Sequence, residues 1–457
     1  MRRAMKENNF SVKKEKNIGD ALKKIELNGL GLVFIEDRKK IVGVITDGDI
    51  RRALIKKKNL NISLISAMNK KFTFLRKGDD TRENILKLLD SRIKAIPVLD
   101  INDKLVDVVS SKSINWNESA GIISKAKSPV RITFAGGGTD LTAYFYESSG
   151  IVFNATINKF THAILEKRED SKINITSHDL DKIVQVENIS ELKLDGNLDL
   201  IKSIIINLAP NFGFNLYTYS DVPPGSGLGG SAVLASAIIG AFNNFREVKL
   251  DVYEIVELAF HSERIVLKLN GGWQDQYATV FGGFNYIEFT DKSNTVNPLR
   301  IKDDIKDELE DSLLLCYTGK NHNSGDIHND IKKRMKTKNE KEYAQKTKDI
   351  AYQMKSSLLQ GKIGDFGGLL GEAWEAKKKF SKKISNKFLD QMYDYAIKSG
   401  AVGGKLLGAG DGGYFLFYVP THKKIGFIKL MKKKKLFVES FTFDSNGLRS
   451  WTTKNKI

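Results

Sequence analysis

The chain has 457 residues, 41% of them hydrophobic, which allows two or three domains that each bury a core of their own. A single cysteine, Cys316, excludes an intrachain disulfide and fits a reducing compartment. The formal charge of +18 raises nucleic acid as a partner, but the lysines are spread along the chain. Solvated helix faces and some attraction for anionic substrates are therefore expected, with no nucleic-acid partner.

The N-terminal stretch "MRRAMKENNFSVKKEKN" is basic but lacks the apolar centre of a signal peptide. No run of about 18 apolar residues occurs, so a cytoplasmic protein without a membrane partner is expected. The first 110 or so residues read as one unit repeated twice, at a period of roughly 50 to 60 residues. Each copy has an amphipathic helix, an apolar strand, an Asp-containing turn and a second strand, as in "LVFIEDRKKIVGVIT" and "IPVLDINDKLVDVVS". Residues 116–127 lie in the polar stretch "SSKSINWNESAGIISKAK" and read as a linker.

A second region opens with "SPVRITFAGGGTD", an alternating strand that runs into a glycine turn. "FGFNLYTYSDV" then reads as a strand feeding "PPGSGLGGSA", after which an apolar helix begins. Gly225, Gly227 and Gly230 satisfy the dinucleotide pattern literally, but two prolines separate strand from loop and no strand pattern ends at Glu247. No Lys-Ser/Thr follows the last glycine, which excludes a Walker loop. A glycine-rich loop with Ser231 as cap of an apolar helix offers free N–H groups and a positive dipole end, which suits phosphate. From about residue 311 a further lobe follows, with "GGKLLGAGDGGYFLF" and the basic helix "THKKIGFIKLMKKKK". Ile425, Ile428, Leu430 and Met431 are expected to form the buried stripe of that helix.

The N-terminal repeat resembles a tandem pair of CBS domains, residues 1–115. Thr46 and Asp49 match the family's Thr-x-x-Asp, which implies a regulatory adenine nucleotide held by its ribose and phosphate. The second copy departs from that pattern, with Asp107 in place of glycine and no acidic residue in 110–113. A docking module without a ligand stays open, as does a role in holding a homo-oligomer together.

Residues from about 123 to 457 resemble the GHMP kinases, named for galactokinase, homoserine kinase, mevalonate kinase and phosphomevalonate kinase. The resemblance rests on "SPVRITFAGGGTD", "PPGSGLGGSA", "GGWQDQYATVFGGF" and "GGKLLGAGDGG" in that order. It implies an α+β protein in which the CBS pair precedes a two-lobed kinase. The N-terminal lobe, 128–300, is expected to be α+β, and the C-terminal lobe, 301–457, ferredoxin-like.

It also implies ATP in the loop Pro224, Gly225, Ser226, Gly227, Leu228, Gly229, Gly230 and Ser231, with Mg2+ on Ser231 and Glu263. Asp275 is the implied proton acceptor, with Arg131 favouring its carboxylate form. The triple glycine of "AGGGTD" resembles the branch that phosphorylates the anomeric hydroxyl of D-glycero-D-manno-heptose 7-phosphate. In that reading Gly137, Gly138, Thr139 and Asp140 bind the sugar, and Lys405 is the candidate for its phosphate. Lys405 equally reads as a surface lysine. A kinase for fucose or galactose, or a sensor binding ATP and sugar without catalysis, stays open. His322, Asp326, His328 and Asp330 could compose a metal cluster but read as a substrate-facing loop.

Overall fold

The computed structural model describes residues 10–454 except 29, 58, 60, 80–87, 89–92, 94, 111–121, 321–326, 328, 329 and 331–337. The chain divides into two compact units, Met1–Trp116 and Asn117–Ile457. No helix among the described residues is long and apolar enough to cross a membrane.

The first unit carries the expected repeat as two three-stranded sheets of the same topology. Ser11–Lys13 runs parallel to Leu32–Asp37, which pairs antiparallel with Lys40–Thr46. Leu75–Arg76, Ala95–Leu99 and Leu105–Ser110 repeat the pattern, with a bulge at the corresponding place, Ile35/Glu36 and Val98/Leu99. Arg38 and Lys39 both take positive φ, which suits a two-residue turn matched to the strand twist. Helix Ile18–Asn28 turns Ile18, Ala21 and Ile25 onto Val33, Ile35 and Ile45. Phe34 and Ile41 of the first copy share a cluster with Ala95 and Leu105 of the second. The second copy's helix, and Ser111–Ser113, lie outside the described residues.

The second unit begins with a strand where the linker was expected. Ile122–Ala135 is continuous, and its first half pairs antiparallel with Arg449–Lys454. No apolar alternation marks residues 122–127, because the side that is buried carries Ser124 and Ala126 while the other side is partly solvated. This strand joins an eight-stranded sheet around Gly150–Lys167, whose early residues pair with Phe284–Phe289 and late ones with Phe214–Ser220. Helix Gly230–Asn243 is buried nearly all round, consistent with its uniformly apolar sequence.

The other lobe holds a four-stranded antiparallel sheet, in the order Gly403–Leu406, Tyr414–Tyr418, Leu313–Tyr317, Phe437–Glu439. Helices Lys338–Leu359, Gly364–Lys378 and Lys387–Lys398 follow Leu313–Tyr317 in the chain, and Thr421–Lys433 precedes Phe437–Glu439, giving the ferredoxin-like β-α-β-β-α-β order. In the basic helix Thr421–Lys433 the inward residues are Phe427 and Met431, with Ile428 beside them. Ile425 is 67% exposed, against expectation. The chain then returns to the first lobe through Arg449–Lys454, so that lobe's sheet is closed by residues from the far end of the sequence.

Candidate active site

A cavity of about 650 Å³ lies between the lobes of the second unit, lined by residues of all the glycine-bearing motifs. Its centre is Arg131. A bulge in the strand at Pro129/Arg131 interrupts the ladder there, a device that re-aims a side chain. Arg131 grips Asp275 with two hydrogen bonds, from Nε to Oδ1 at 2.8 Å and from Nη2 to Oδ2 at 2.9 Å. Its third nitrogen donates to the carbonyl of Gly227 at 2.6 Å, so one guanidinium ties the acidic residue to the glycine loop. Asp275 stands in the first turn of helix Gln274–Phe281, but no side chain caps that helix. A planar fork on a carboxylate is a strong, orientation-setting pair. The fork takes about two of the carboxylate's four lone-pair sites.

The loop 223–231 crosses the cavity and ends in helix Gly230–Asn243. Its cap is Gly229, in the left-handed region at φ 86°, with no side-chain capping bond. Ser231 is therefore not the cap, as expected from sequence, but the second residue of the helix. The uncapped N–H groups of the first turn make an arrangement that can hold an anion. Gly227 packs against the loop Leu407–Gly408 of the other lobe. A Cβ on Gly408 would meet the Gly227 Cα at 2.5 Å, so two glycines are needed for the lobes' loops to meet. Pro224, Gly225, Ser226, Gly229, Gly230 and Ser231 also line the cavity, whereas Leu228 is fully buried in the core beneath.

Glu263 comes from the π-helical segment His261–Val266, where the widened turn displaces the ladder, as is frequent at functional sites. It is 2% exposed and receives Gln276 Nε2 at 2.8 Å, with Arg264 Nη1 at 3.3 Å and the Ser231 hydroxyl also bonded. Burial raises its pKa, against the lowering by Arg264 and Ser231. Ser231 and Glu263 thus present adjacent oxygens from two helices. No cluster of three His, Cys, Asp or Glu exists among the described residues. That donor set fits a hard cation such as Mg2+, which keeps waters and takes its other ligands from phosphates.

Asp140 is 2% exposed, and burial, with Asp275 nearby, raises its pKa against bonds from backbone N–H groups. Those donors are Gln274 N at 3.1 Å and Gly138 N at 3.0 Å. Gly272 permits the arrangement, because a Cβ there would lie 1.9 Å from Asp140 Oδ2. Gly137 and Gly138 line the cavity with it. Thr139 does not. Its hydroxyl donates to the carbonyls of Gly136 and Ile151, which pins the turn and places it in the scaffold.

Lys405 is no surface lysine. It is 4% exposed, lines the cavity and donates to the Thr133 carbonyl at 2.8 Å. Burial, then Arg131, pushes its pKa down to about 7. Asp411 takes φ 62°, in the left-handed region that favours glycine, and its carboxylate accepts from Asn386 and faces solvent, away from the cavity. Asp330 accepts from Ser381, while His322, Asp326 and His328 lie outside the described residues. In the first unit, Thr46 and Asp49 are spent on each other. Asp49 Oδ2 accepts Thr46 N at 3.0 Å and Thr46 Oγ1 at 2.7 Å, at the start of helix Asp47–Lys57.

Nothing in the sequence marks Lys377 or Gln274, which also line the cavity. Lys377 stands in the run "AKKKF" and reads as a solvated helix face. Gln274 accepts the Thr133 hydroxyl at 2.8 Å, and Trp273 stacks on Phe260 while its Nε1 donates to Thr142.

Both units of the chain are similar to known proteins. The GHMP kinases N terminal domain matches residues 199–283, and the CBS domain matches 1–56 and 63–115. The chain is 40% identical to D-glycero-alpha-D-manno-heptose 7-phosphate kinase of Campylobacter jejuni, covering 72% of this chain and 98% of that one. It is 34% identical to a crystal structure of D-glycero-D-manno-heptose 1-phosphate kinase from Bacteroides thetaiotaomicron, at a TM-score of 0.62, over 72% and 98% of the two chains. L-fucokinase/L-fucose-1-P guanylyltransferase of Bacteroides fragilis is 29% identical over 74% of this chain but only 37% of its own length. The chain belongs to the GHMP sugar kinases, and with them is a phosphotransferase, joined here to CBS domains at its N-terminal side.

Proposed function

We propose that the protein transfers the γ-phosphoryl group of ATP to the anomeric hydroxyl of D-glycero-D-manno-heptose 7-phosphate, giving the 1,7-bisphosphate for nucleotide-activated heptose synthesis. The observation that carries this reading is the Arg131–Asp275 fork, held against the glycine loop in the cavity that Asp140 and Lys405 also line. Asp275 takes the proton of the attacking hydroxyl on a carboxylate oxygen. The new O–P bond forms at the γ-phosphorus as the bond to the bridging oxygen breaks, and its electrons leave with ADP.

The N–H groups of the first helical turn after Gly229 hold the nucleotide phosphates. Asp140 accepts from sugar hydroxyls, and Lys405 faces the phosphate of the substrate. Ser231 and Glu263 would hold Mg2+, which when bound neutralises phosphate charge. The choice of heptose 7-phosphate is supported by the identity with the Campylobacter jejuni enzyme and by the basic side chains Arg131, Lys377 and Lys405 in the cavity lining, which suit a phosphorylated acceptor.

Asp275→Asn keeps the side chain's shape, removes the proton acceptor and can accept only one of the two Arg131 bonds. It should lower kcat by roughly 10²–10⁴ and leave ATP binding nearly intact. Near-normal turnover would remove Asp275 from this role. A coupled ADP-release assay on a sugar panel tests the acceptor. Faster turnover of fucose or galactose than of heptose 7-phosphate would overturn the substrate assignment.

A further inference from the structure

Two ammonium groups enter the cavity from separate elements. Lys377 lies in the last turn of helix Gly364–Lys378, and Lys405 lies on strand Gly403–Leu406. Lys377 Nζ donates to the carbonyls of Leu406 at 2.8 Å and Gly408 at 2.6 Å, while Lys405 Nζ donates to Thr133 O at 2.8 Å. An ammonium has three N–H donors, so Lys377 keeps one unspent and Lys405 keeps two.

Neither has a carboxylate partner among the described residues. Asp275 is gripped by Arg131, and Asp140 is held by backbone N–H groups. Burial, then the charges of Lys405 and Arg131, holds the Lys377 pKa well below its ordinary value. Like charges that are desolvated and unpaired raise the free energy of the site until an anion arrives.

The anion is not supplied by the nucleotide's own requirements. The first turn after Gly229 and the Ser231–Glu263 oxygens already serve the transferred phosphates, in the reading above. An uncharged sugar offers hydroxyls, and these need no pair of ammonium groups. A phosphate monoester brings close to two negative charges and three terminal oxygens, which match two cations with three unspent donors.

We propose that Lys377 and Lys405 together form the subsite for a phosphate monoester already present on the sugar acceptor, and so select phosphorylated over free sugars. This rests on the reading of the cavity as the site of phosphoryl transfer.

The test uses the full chain with Lys377→Met, Lys405→Met and the charge-keeping Lys377→Arg. Each is assayed on D-glycero-D-manno-heptose 7-phosphate and on the same heptose without its phosphate. Each Met variant should lower kcat/KM for the phosphorylated sugar by about 10- to 100-fold, chiefly through KM. The free heptose should change by less than about threefold, ATP KM should hold, and Lys377→Arg should recover most of the loss.

Inorganic phosphate should inhibit competitively against the acceptor and not against ATP, and both Met variants should abolish that inhibition. Equal loss on both sugars, carried by kcat, would assign the ammonium groups to the transferred phosphoryl group and overturn the proposal. If another sugar proves to be the acceptor, phosphate competition against that sugar still decides the subsite, so the two readings fail separately. Thermal unfolding guards against a folding artefact, since loss of an unpaired buried charge should leave Tm at or above that of the wild type.

Discussion

Lys405 shows how one side chain can be read two ways until its surroundings are known. Its ammonium is buried beside Arg131, and its pKa falls from the ordinary lysine value to about 7. Below about pH 7 the folded protein carries the full burden of that charge. Between about pH 7 and 10 the folded state sheds the proton while the unfolded chain keeps it, so this residue's contribution makes stability rise with pH. At ~1.4 kcal/mol per pKa unit, Lys405→Met should be more stable than the wild type at neutral pH by a few kcal/mol. Chemical denaturation at pH 7 and pH 9.5 should show that advantage shrinking. A Met variant less stable at both values would mean that the bond to Thr133 outweighs the charge. Gly272 gives a sharper case, because a Cβ there would lie 1.9 Å from the Asp140 carboxylate. Gly272→Ala should therefore raise the sugar KM at least about tenfold with a smaller change in ATP KM, as expected for a displaced binding group.

At the level of elements, the lobes are joined through backbone rather than through side chains alone. The loop at Gly227 meets the loop at Gly408 so closely that neither tolerates a Cβ. Gly408→Ala, at φ 70°, would add left-handed strain of roughly 1 kcal/mol or more to that clash. It should reduce kcat/KM for both substrates together, and unaltered steady-state kinetics would refute the role of this contact. The strand Ile122–Ala135 carries a second lesson. Its first half pairs with Arg449–Lys454, and Ser124 donates to the Ala241 carbonyl of the central helix at 2.7 Å. A chain beginning at Asn117 should fold as a kinase, whereas one beginning at Ser128 leaves that edge unpaired. The shorter chain should lose several degrees of Tm or become insoluble, and equal melting of the two would show the pairing to be dispensable.

For the whole molecule, the question is what the CBS unit adds. Thr46 and Asp49 close the start of a helix, and Asp49 also receives Arg52 Nη2 at 2.6 Å. Burial opposes ionisation of Asp49, but bonds from Thr46 and Arg52 outweigh it and lower its pKa. A nucleotide ribose would have to compete with these bonds. If it does, AMP or ADP should alter kinase rate beyond product inhibition by an amount set by a coupling of about 1–3 kcal/mol. Asp49→Ala should abolish that response, at a cost of about 1 kcal/mol in helix capping. Calorimetry that finds one nucleotide site per chain, unchanged by Asp49→Ala, would leave the unit without this ligand.

The Asp275–Arg131 pairing, 144 residues apart, followed only from the resemblance to the GHMP kinases, whereas local chemistry was enough to announce the duplicated N-terminal unit and the glycine-rich loop before an apolar helix. Each depends on residues whose backbone freedom or charge shows within a short window, such as the glycines of 225–230 or the strand period of "VRITFAG". Tertiary structure decided the remainder. That Ser231 serves Glu263 and not the helix cap, that Thr139 and Leu228 face inward, and that 122–127 is a strand all depend on partners remote in sequence. Lys377 is the clearest instance. In sequence it is one lysine of three on a helix, and it becomes part of an anion site only because the strand and loop at 403–408 fold against its ammonium. Burial sets the strength of a charge and the direction of its pKa shift, and burial is a property of the assembled lobes rather than of any segment.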